Sequence, residues 1–180
     1  KRRMFNDIER ISVSKEEIEK IVKRLGSEIS KDYQDKNPLI IGLLKGTIFF
    51  MVDLLKNIDI KCTLDFMKAS SYSGTSSTGN VMIKGDIPEV DGRHVILIDD
   101  ILDTGRTIKS VKELFESRNA LSVKVCVLLN KPEGRVVDIE ADYVGGLVEN
   151  EFVVGYGLDY DEQYRNLPYI GVLKREVYSK

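Results

Sequence analysis

Apolar positions along this chain follow two rhythms, and the two alternate. Ile18, Ile21, Val22, Leu25 and Ile29 recur at the spacing of one helix face. They follow the capping sequence Ser14-Lys15-Glu16-Glu17, which predicts a helix running to about Tyr33. Pro38 then opens Leu39-Ile40-Ile41-Gly42-Leu43-Leu44, a continuous apolar run with strand character. After Lys45-Gly46, a second helix is predicted from about Thr47 to Lys56, carrying Phe49, Phe50, Val52, Leu54 and Leu55. Lys61 to Ala69 reads as a strand with Cys62, Leu64 and Phe66 alternating, and Val81-Met82-Ile83 as a returning one.

The stretch His94-Val95-Ile96-Leu97-Ile98-Asp99-Asp100-Ile101-Leu102-Asp103-Thr104-Gly105-Arg106-Thr107 organises the rest. Its apolar run, Val95 to Ile98, suits a buried strand bounded by the turn signal Asp91-Gly92. Three acids and small residues come next, then Ile108, Val111, Leu114 and Phe115 at helical spacing. The stretch reads strand, acidic loop, helix. Ser122 to Leu129 is another strand, ending at Asn130-Lys131-Pro132-Glu133-Gly134. Asp142 to Gly145, Phe152 to Val154 and Tyr169 to Lys174 complete the set. Strands alternating with helices predict an α/β fold with a mainly parallel central sheet. With no linker or repeat in view, a single domain over 1–180 is expected.

Composition narrows the function more than the fold. With 180 residues, 42% of them hydrophobic, the chain can bury a sizeable core. A net charge of −2 provides no global basic field, so no nucleic-acid partner is expected. The one histidine, His94, nearly excludes multi-His metal sites and a Ser-His-Asp triad, and at a strand start it reads as structural. Cys62 and Cys126 sit in strand-like surroundings, which suits a reduced, cytoplasmic protein without a disulfide framework. Lys1-Arg2-Arg3 is followed by Asn6-Asp7-Ile8-Glu9-Arg10 and not by an apolar core, so no secretory leader or membrane partner is expected.

The chemistry-bearing residues lie where strands end. Thr104, Gly105, Arg106 and Thr107 would set free backbone N–H groups, two hydroxyls and a cation at a helix N-terminus, which is equipment for a phosphate. An ordinary strand–turn–helix corner with Asp and Thr as caps uses the same residue types. Asp99 and Asp100 suit a divalent cation or sugar hydroxyls. Lys45-Gly46 and Lys131 are each a lysine beside a turn, a position more often merely solvated. Ser70 to Asn80 holds nothing but Tyr72 that can anchor a core, and composition alone makes it a hairpin tip that stays mobile.

Together these residues resemble the type I phosphoribosyltransferases, and more narrowly the hypoxanthine-guanine phosphoribosyltransferases. The central stretch is similar to that family's phosphoribosyl-pyrophosphate signature. Asp99-Asp100 stands where Glu-Asp is usual, with the charge kept and the reach shortened by one methylene. Phe152-Val153-Val154-Gly155-Tyr156-Gly157-Leu158-Asp159-Tyr160 is very similar to the purine-binding segment, and Tyr164-Arg165-Asn166-Leu167-Pro168-Tyr169 matches as well.

The resemblance implies a five-stranded core, with a small hood built from both chain ends. It implies that Asp103 to Thr107 hold the 5′-phosphate, with Arg106 where relatives often carry Lys. Asp103 would be the catalytic general base. Lys45, Gly46 and Arg165 would receive pyrophosphate, beside a non-proline cis peptide at Leu44–Lys45. Asp99, Asp100 and Asp159 would face magnesium (Mg2+). Lys131 would donate to O6 of a 6-oxopurine, Phe152 would stack on the base, and the Val153 backbone would read its edge. Ser71 and Tyr72 would belong to a lid, about 70–80, and the enzyme would be a homodimer or homotetramer. Two other readings use the same fold: a nucleic-acid-binding regulator, and a transferase for another base such as xanthine, orotate, adenine or uracil. Asp103 and the acidic pI of about 5.6 oppose the first, and Lys131 with Phe152 to Asp159 opposes transfer to orotate, adenine or uracil.

Overall fold

The computed structural model describes residues 3–72 and 80–179. Its elements follow the two rhythms closely: β1 (Ile8–Val13), α1 (Lys15–Asp32), β2 (Leu39–Leu44), α2 (Ile48–Lys56) and β3 (Thr63–Tyr72). After them come β4 (Asn80–Lys84), β5 (His94–Leu102), α3 (Arg106–Ser117), β6 (Ser122–Asn130), β7 (Tyr143–Leu147), β8 (Val153–Val154), β9 (Ile170–Leu173) and α4 (Arg175–Tyr178). Ser14 caps α1 as its sequence suggests, its Oγ accepting from the Glu17 N–H at 3.1 Å.

Six strands form the main sheet, in the order β4-β3-β2-β5-β6-β7. Five are parallel to one another, and β4 is an antiparallel edge paired with β3. The sheet is therefore one strand wider than the five-stranded core expected. The difference lies in the polar segment after Ala69: Ser70, Ser71 and Tyr72 stay in β3, paired with Met82, Val81 and Asn80. Backbone ladder bonds sustain a strand there although Ser70 and Ser71 are exposed. Residues 73–79, most of the expected lid, lie outside the described residues.

The sheet is buried on both faces, as a parallel sheet must be. One apolar layer joins Leu25 and Ile29 of α1 and Phe50, Met51 and Leu54 of α2 to Ile40, Ile96, Ile98, Cys126 and Leu128. The other joins Ile108, Val111 and Phe115 of α3 to Ile41, Leu97, Val125 and Val127. A separate three-stranded antiparallel sheet, β1-β9-β8, comes from both chain ends. His94 is structural, its Nδ1 2.7 Å from Ser122 Oγ and its ring edge-on to Tyr33.

Strand order reverses between β2 and β5, because the chain winds outward through β3 on one side and through β6 and β7 on the other. At such a switch point the connections leave in opposite directions and open a crevice beyond the carboxyl ends of the strands. Lys45-Gly46 follows β2 there, and Asp103 to Thr107 follows β5.

The helix layer has one tight contact, where Gly26 of α1 meets the end of α2. A Cβ on Gly26 would come within 2.4 Å of the Asn57 carbonyl oxygen. Alanine improves helix propensity by about 1 kcal/mol, whereas overpacking against a fixed backbone costs about 1–3 kcal/mol. Gly26→Ala is expected to lower the thermal unfolding midpoint by about 2–4 °C, against the propensity scale. A midpoint raised by the substitution would show that the helices separate freely.

Candidate active site

The acids are not in a loop. β5 continues through Asp99 and Asp100 to Leu102, because β6 keeps pairing alongside it, Asp99 with Val127 and Leu102 with Asn130. Two adjacent carboxylates therefore occupy the last turns of a buried strand, and only Asp103 to Gly105 form the corner. Asp99 Oδ1 accepts the Asp100 N–H at 2.9 Å, and Asp100 Oδ1 accepts the Ile101 N–H at 2.7 Å. Burial, followed by the charge of Asp100 and a hydrogen bond with it, holds Asp99 well above the usual carboxylate range. Burial raises Asp100 too, against hydrogen bonds from Asp99 and the Ile101 N–H and the charge of Arg165.

The β2 loop closes on this pair. The Leu44–Lys45 peptide is cis, and Gly46 lies so near that a Cβ there would be 2.1 Å from Asp100 Oδ2. Gly157, at φ +102°, packs in turn on the Gly46 carbonyl, and a Cβ on it would stand 2.0 Å from that oxygen. Only glycine meets both demands at 157, a left-handed backbone and direct backbone contact.

Arg165 and Gly157 hold each other: Arg165 Nη1 donates to the Gly157 carbonyl at 2.6 Å, and the Gly157 N–H to the Arg165 carbonyl at 2.8 Å. Arg165 Nη2 reaches Glu162 Oε1 at 3.1 Å and Asp159 Oδ1 at 3.6 Å. Lys45 Nζ donates to Glu162 Oε2 at 2.8 Å. Glu162 thus links the two expected pyrophosphate cations, and those bonds, Lys45's first, lower its pKa. Beside them opens a cavity of about 410 Å3 lined also by Lys68, Lys84 and Ser70. Lys68 and Lys84 are direct cross-strand partners, a like-charge pairing that disfavours the sheet unless an anion lies nearby.

Beyond β5, Gly105 caps α3 in the left-handed region at φ +84°, pressed against Ile139 and Arg135. Thr104, Arg106 and Thr107 are partly buried around the α3 N-terminus. Asp103 Oδ1 lies against Gly134, where a Cβ would stand 1.8 Å away. This brings the Asp103 corner against the turn that follows Lys131.

Arg135, 10% exposed, ties the two corners together. It donates to the carbonyls of Leu102 (3.0 Å), Asp103 (2.9 Å), Lys131 (3.3 Å) and Ile139 (2.9 Å), and to Asn130 Oδ1 at 2.6 Å. Arg135 and Glu162 were not expected from the sequence, nor were Lys68 and Lys84. The only local signal was the spacing Asp159, Glu162, Arg165.

Phe152, 38% exposed, immediately precedes β8, and Val153 begins it, in the smaller sheet. No hydrogen bond joins Ser71 to the crevice among the described residues, and of Tyr72 only the backbone pairing is described. Nor do Asp99, Asp100 and Asp159 form one ligand cluster. Among the described residues no three carboxylate, imidazole or thiol groups converge on a common point, and Asp159 Oδ2 accepts the Glu162 N–H at 2.9 Å. The Asp99–Asp100 pair by itself still fits a hard divalent cation, which commonly takes one or two protein carboxylates and completes its shell with water and phosphate oxygens.

Comparison with known proteins decides the family. Residues 13–161 match the phosphoribosyl transferase domain. The chain belongs to the phosphoribosyltransferase family. The hypoxanthine-guanine phosphoribosyltransferase of Streptococcus pneumoniae is 56% identical over 97% of this chain and 98% of its own. That of Streptococcus pyogenes is 54% identical over the same shares. A crystal structure of hypoxanthine phosphoribosyltransferase from Staphylococcus aureus superposes with TM-score 0.95 at 51% identity, covering 98% of this chain and 97% of that one. The Trypanosoma cruzi enzyme, a K68R mutant in a ternary substrates complex, superposes with TM-score 0.90 at 37% identity, covering 96% and 99%. The expected family and α/β fold are both found.

The acid pair yields a test of charge frustration. A carboxyl whose pKa is raised by folding stabilises the fold while it is protonated. That contribution is complete below the ordinary aspartate range and disappears as pH rises through the raised value. At pH 8 in a chelating buffer, Asp99→Asn is expected to raise the unfolding midpoint by about 2–4 °C while abolishing most activity. A lowered midpoint would mean that the two carboxylates do not oppose each other.

Proposed function

We propose that this chain catalyses purine salvage, transferring the 5-phosphoribosyl group from phosphoribosyl pyrophosphate to hypoxanthine or guanine. The products are IMP or GMP and pyrophosphate. The reading is carried by the meeting, at one switch point, of the Lys45-Gly46 loop, the Asp99–Thr107 stretch and the Asp159–Arg165 segment. Relatives named for hypoxanthine-guanine transfer, matched over nearly the whole chain, support the choice of base.

In this reading the purine nitrogen attacks C1 of the ribose as the C1–O bond to pyrophosphate breaks, and the leaving group takes the bonding electrons. Thr104 to Thr107 hold the 5′-phosphate on the backbone N–H groups and dipole of α3. Lys45, Gly46 and Arg165 receive the leaving pyrophosphate, with Lys68 and Lys84 adding positive charge along the cleft. Positioned cations act where charge develops and need no reorganisation during the step. A magnesium ion held by Asp99 and Asp100 would supply further neutralisation of the donor's charge. Asp103 accepts the proton that the purine loses, and the Gly134 contact keeps its carboxylate at the corner shared with Lys131. Lys131 donates to O6, Phe152 stacks on the ring, and the Val153 backbone reads its edge. Ile48, Phe49 and Val52, each about 40% exposed on α2, support assembly as a homodimer or homotetramer.

The deciding experiment is a panel of bases supplied with phosphoribosyl pyrophosphate and magnesium. Hypoxanthine and guanine are expected to react and adenine to be inert, because a site with a hydrogen-bond donor for O6 rejects a base that lacks the acceptor. Turnover of adenine at the hypoxanthine rate would refute the assignment. Within the active enzyme, Asp103→Asn is expected to lower kcat roughly 10²- to 10⁴-fold, the usual range for a general base, with little change in KM for the donor. Near-normal turnover would move the proton acceptor elsewhere.

A further inference from the structure

The short helix α4 carries Tyr178 onto the ring of Phe152. Their centroids are 4.6 Å apart and the planes 18° from parallel, a stacked pair. Tyr160 meets both rings edge-on, at 5.6 Å from Phe152 and 6.4 Å from Tyr178. The connection between α4 and the small sheet is fixed by backbone bonds, the Leu173 N–H to the Phe152 carbonyl at 2.9 Å and the Lys174 N–H to the Asp7 carbonyl at 2.8 Å. The stack is thus anchored at both its roots. Phe152 nevertheless remains 38% exposed. Tyr178 covers one face, and the ring keeps this open area although Tyr160 also touches it.

We propose that Tyr178 is a positioning residue for the purine, backing Phe152 so that its free face is presented to the incoming base. The inference rests on the reading that the base stacks on Phe152. A phenylalanine at the start of a two-residue strand has little around it to choose one rotamer. A ring stacked behind it selects that rotamer before the base arrives, so less ordering entropy is lost on binding. Offset parallel stacking leaves the ring's far face free, which an edge-on partner across that face would not do. The hydroxyl of Tyr178 has no part in this, so a phenylalanine there would serve as well. The C-terminal segment then acts on base affinity while the donor site, built on β2, β5 and the Asp159–Arg165 segment, is untouched.

Steady-state constants for hypoxanthine and for phosphoribosyl pyrophosphate test this in the full chain, using Tyr178→Ala, Tyr178→Leu, Tyr178→Phe, Phe152→Ala and the Tyr178→Ala/Phe152→Ala double variant. Tyr178→Ala is expected to raise KM for hypoxanthine roughly 2- to 12-fold, the range of one aromatic pair, with the donor KM unchanged. Tyr178→Phe should behave as the parent. Tyr178→Leu, which keeps apolar bulk without a π face, should resemble the alanine variant. In the Phe152→Ala background, Tyr178→Ala should add nothing.

If Phe152→Ala alone leaves the hypoxanthine KM unaltered, the stacking reading fails and takes the inference with it. If Phe152→Ala raises that KM but Tyr178→Ala leaves it unchanged, the inference alone fails. A lowered hypoxanthine KM in Tyr178→Ala would show instead that the tyrosine competes for the base's face. Equal rises in both KM values, or rescue by leucine, would reduce Tyr178 to packing. Any of these outcomes overturns the proposal.

Discussion

Two neighbouring carboxylates at the end of the central buried strand are the costliest feature of this molecule, and much of the site is arranged around them. Successive residues of a strand point to opposite faces, yet Asp99 and Asp100 still couple strongly, because burial removes the water that would screen them. The protein answers with backbone N–H donors and with the charge of Arg165, not with an ion pair at contact distance. It also answers with shape. Gly46 leaves its side-chain space to Asp100, and Gly157 leaves its own to the Gly46 carbonyl. A methyl group at either position would push apart the layers that the acids need close.

The cations show the complementary arrangement. Lys45 and Arg165 converge on Glu162, and Lys68 faces Lys84 across β3 and β4. Glu162 is exposed, so its bridges are worth little as stability. What they do is hold two flexible cationic side chains near one place, which reduces the freedom an incoming anion must remove. This segment is fastened to the core independently. Tyr156 OH donates to Asp53 Oδ2 at 2.5 Å, a bond that with burial pushes the phenol's pKa upward. The segment after β8 and helix α2 therefore meet through a partly buried polar contact that does not depend on ligand.

How much of this was legible follows from how local each cause is. The apolar runs and the helical spacings required only neighbours in sequence, so β2, β6, α1 and α2 were read nearly to the residue. The continuation of β5 through Asp99 and Asp100 was not, since acids rarely extend a strand and the reason lies in the ladder with β6. Ser70 to Tyr72 failed in the same way, a polar stretch kept extended by its partner strand. Arg135 was invisible because its acceptors are mostly backbone carbonyls, from the end of β5 and from its own β6–β7 connection, a pattern no residue spacing encodes. Of the three acids expected to share a metal, only Asp99 and Asp100 lie side by side. Asp159 is adjacent in the family pattern but here turns its oxygens to Glu162 and Arg165.

Opposed charges kept apart within one cleft restrict what can bind well. The net charge of −2 conceals a crevice with Asp99 and Asp100 on one side and Lys45, Arg165, Lys68 and Lys84 around another. A bare anion would relieve the lysines and leave the acids in conflict. A bare cation would relieve the acids and leave the lysines facing one another. Under the proposed function, a sugar donor bearing pyrophosphate together with a divalent ion would answer both at once, with its 5′-phosphate at the separate N-terminus of α3. Once pyrophosphate departs with its counter-charge, both frustrations return, and Glu162 recovers its two cations. The returning frustration opposes emptying, and the recovered bridges of Glu162 to Lys45 and Arg165 offset part of that cost.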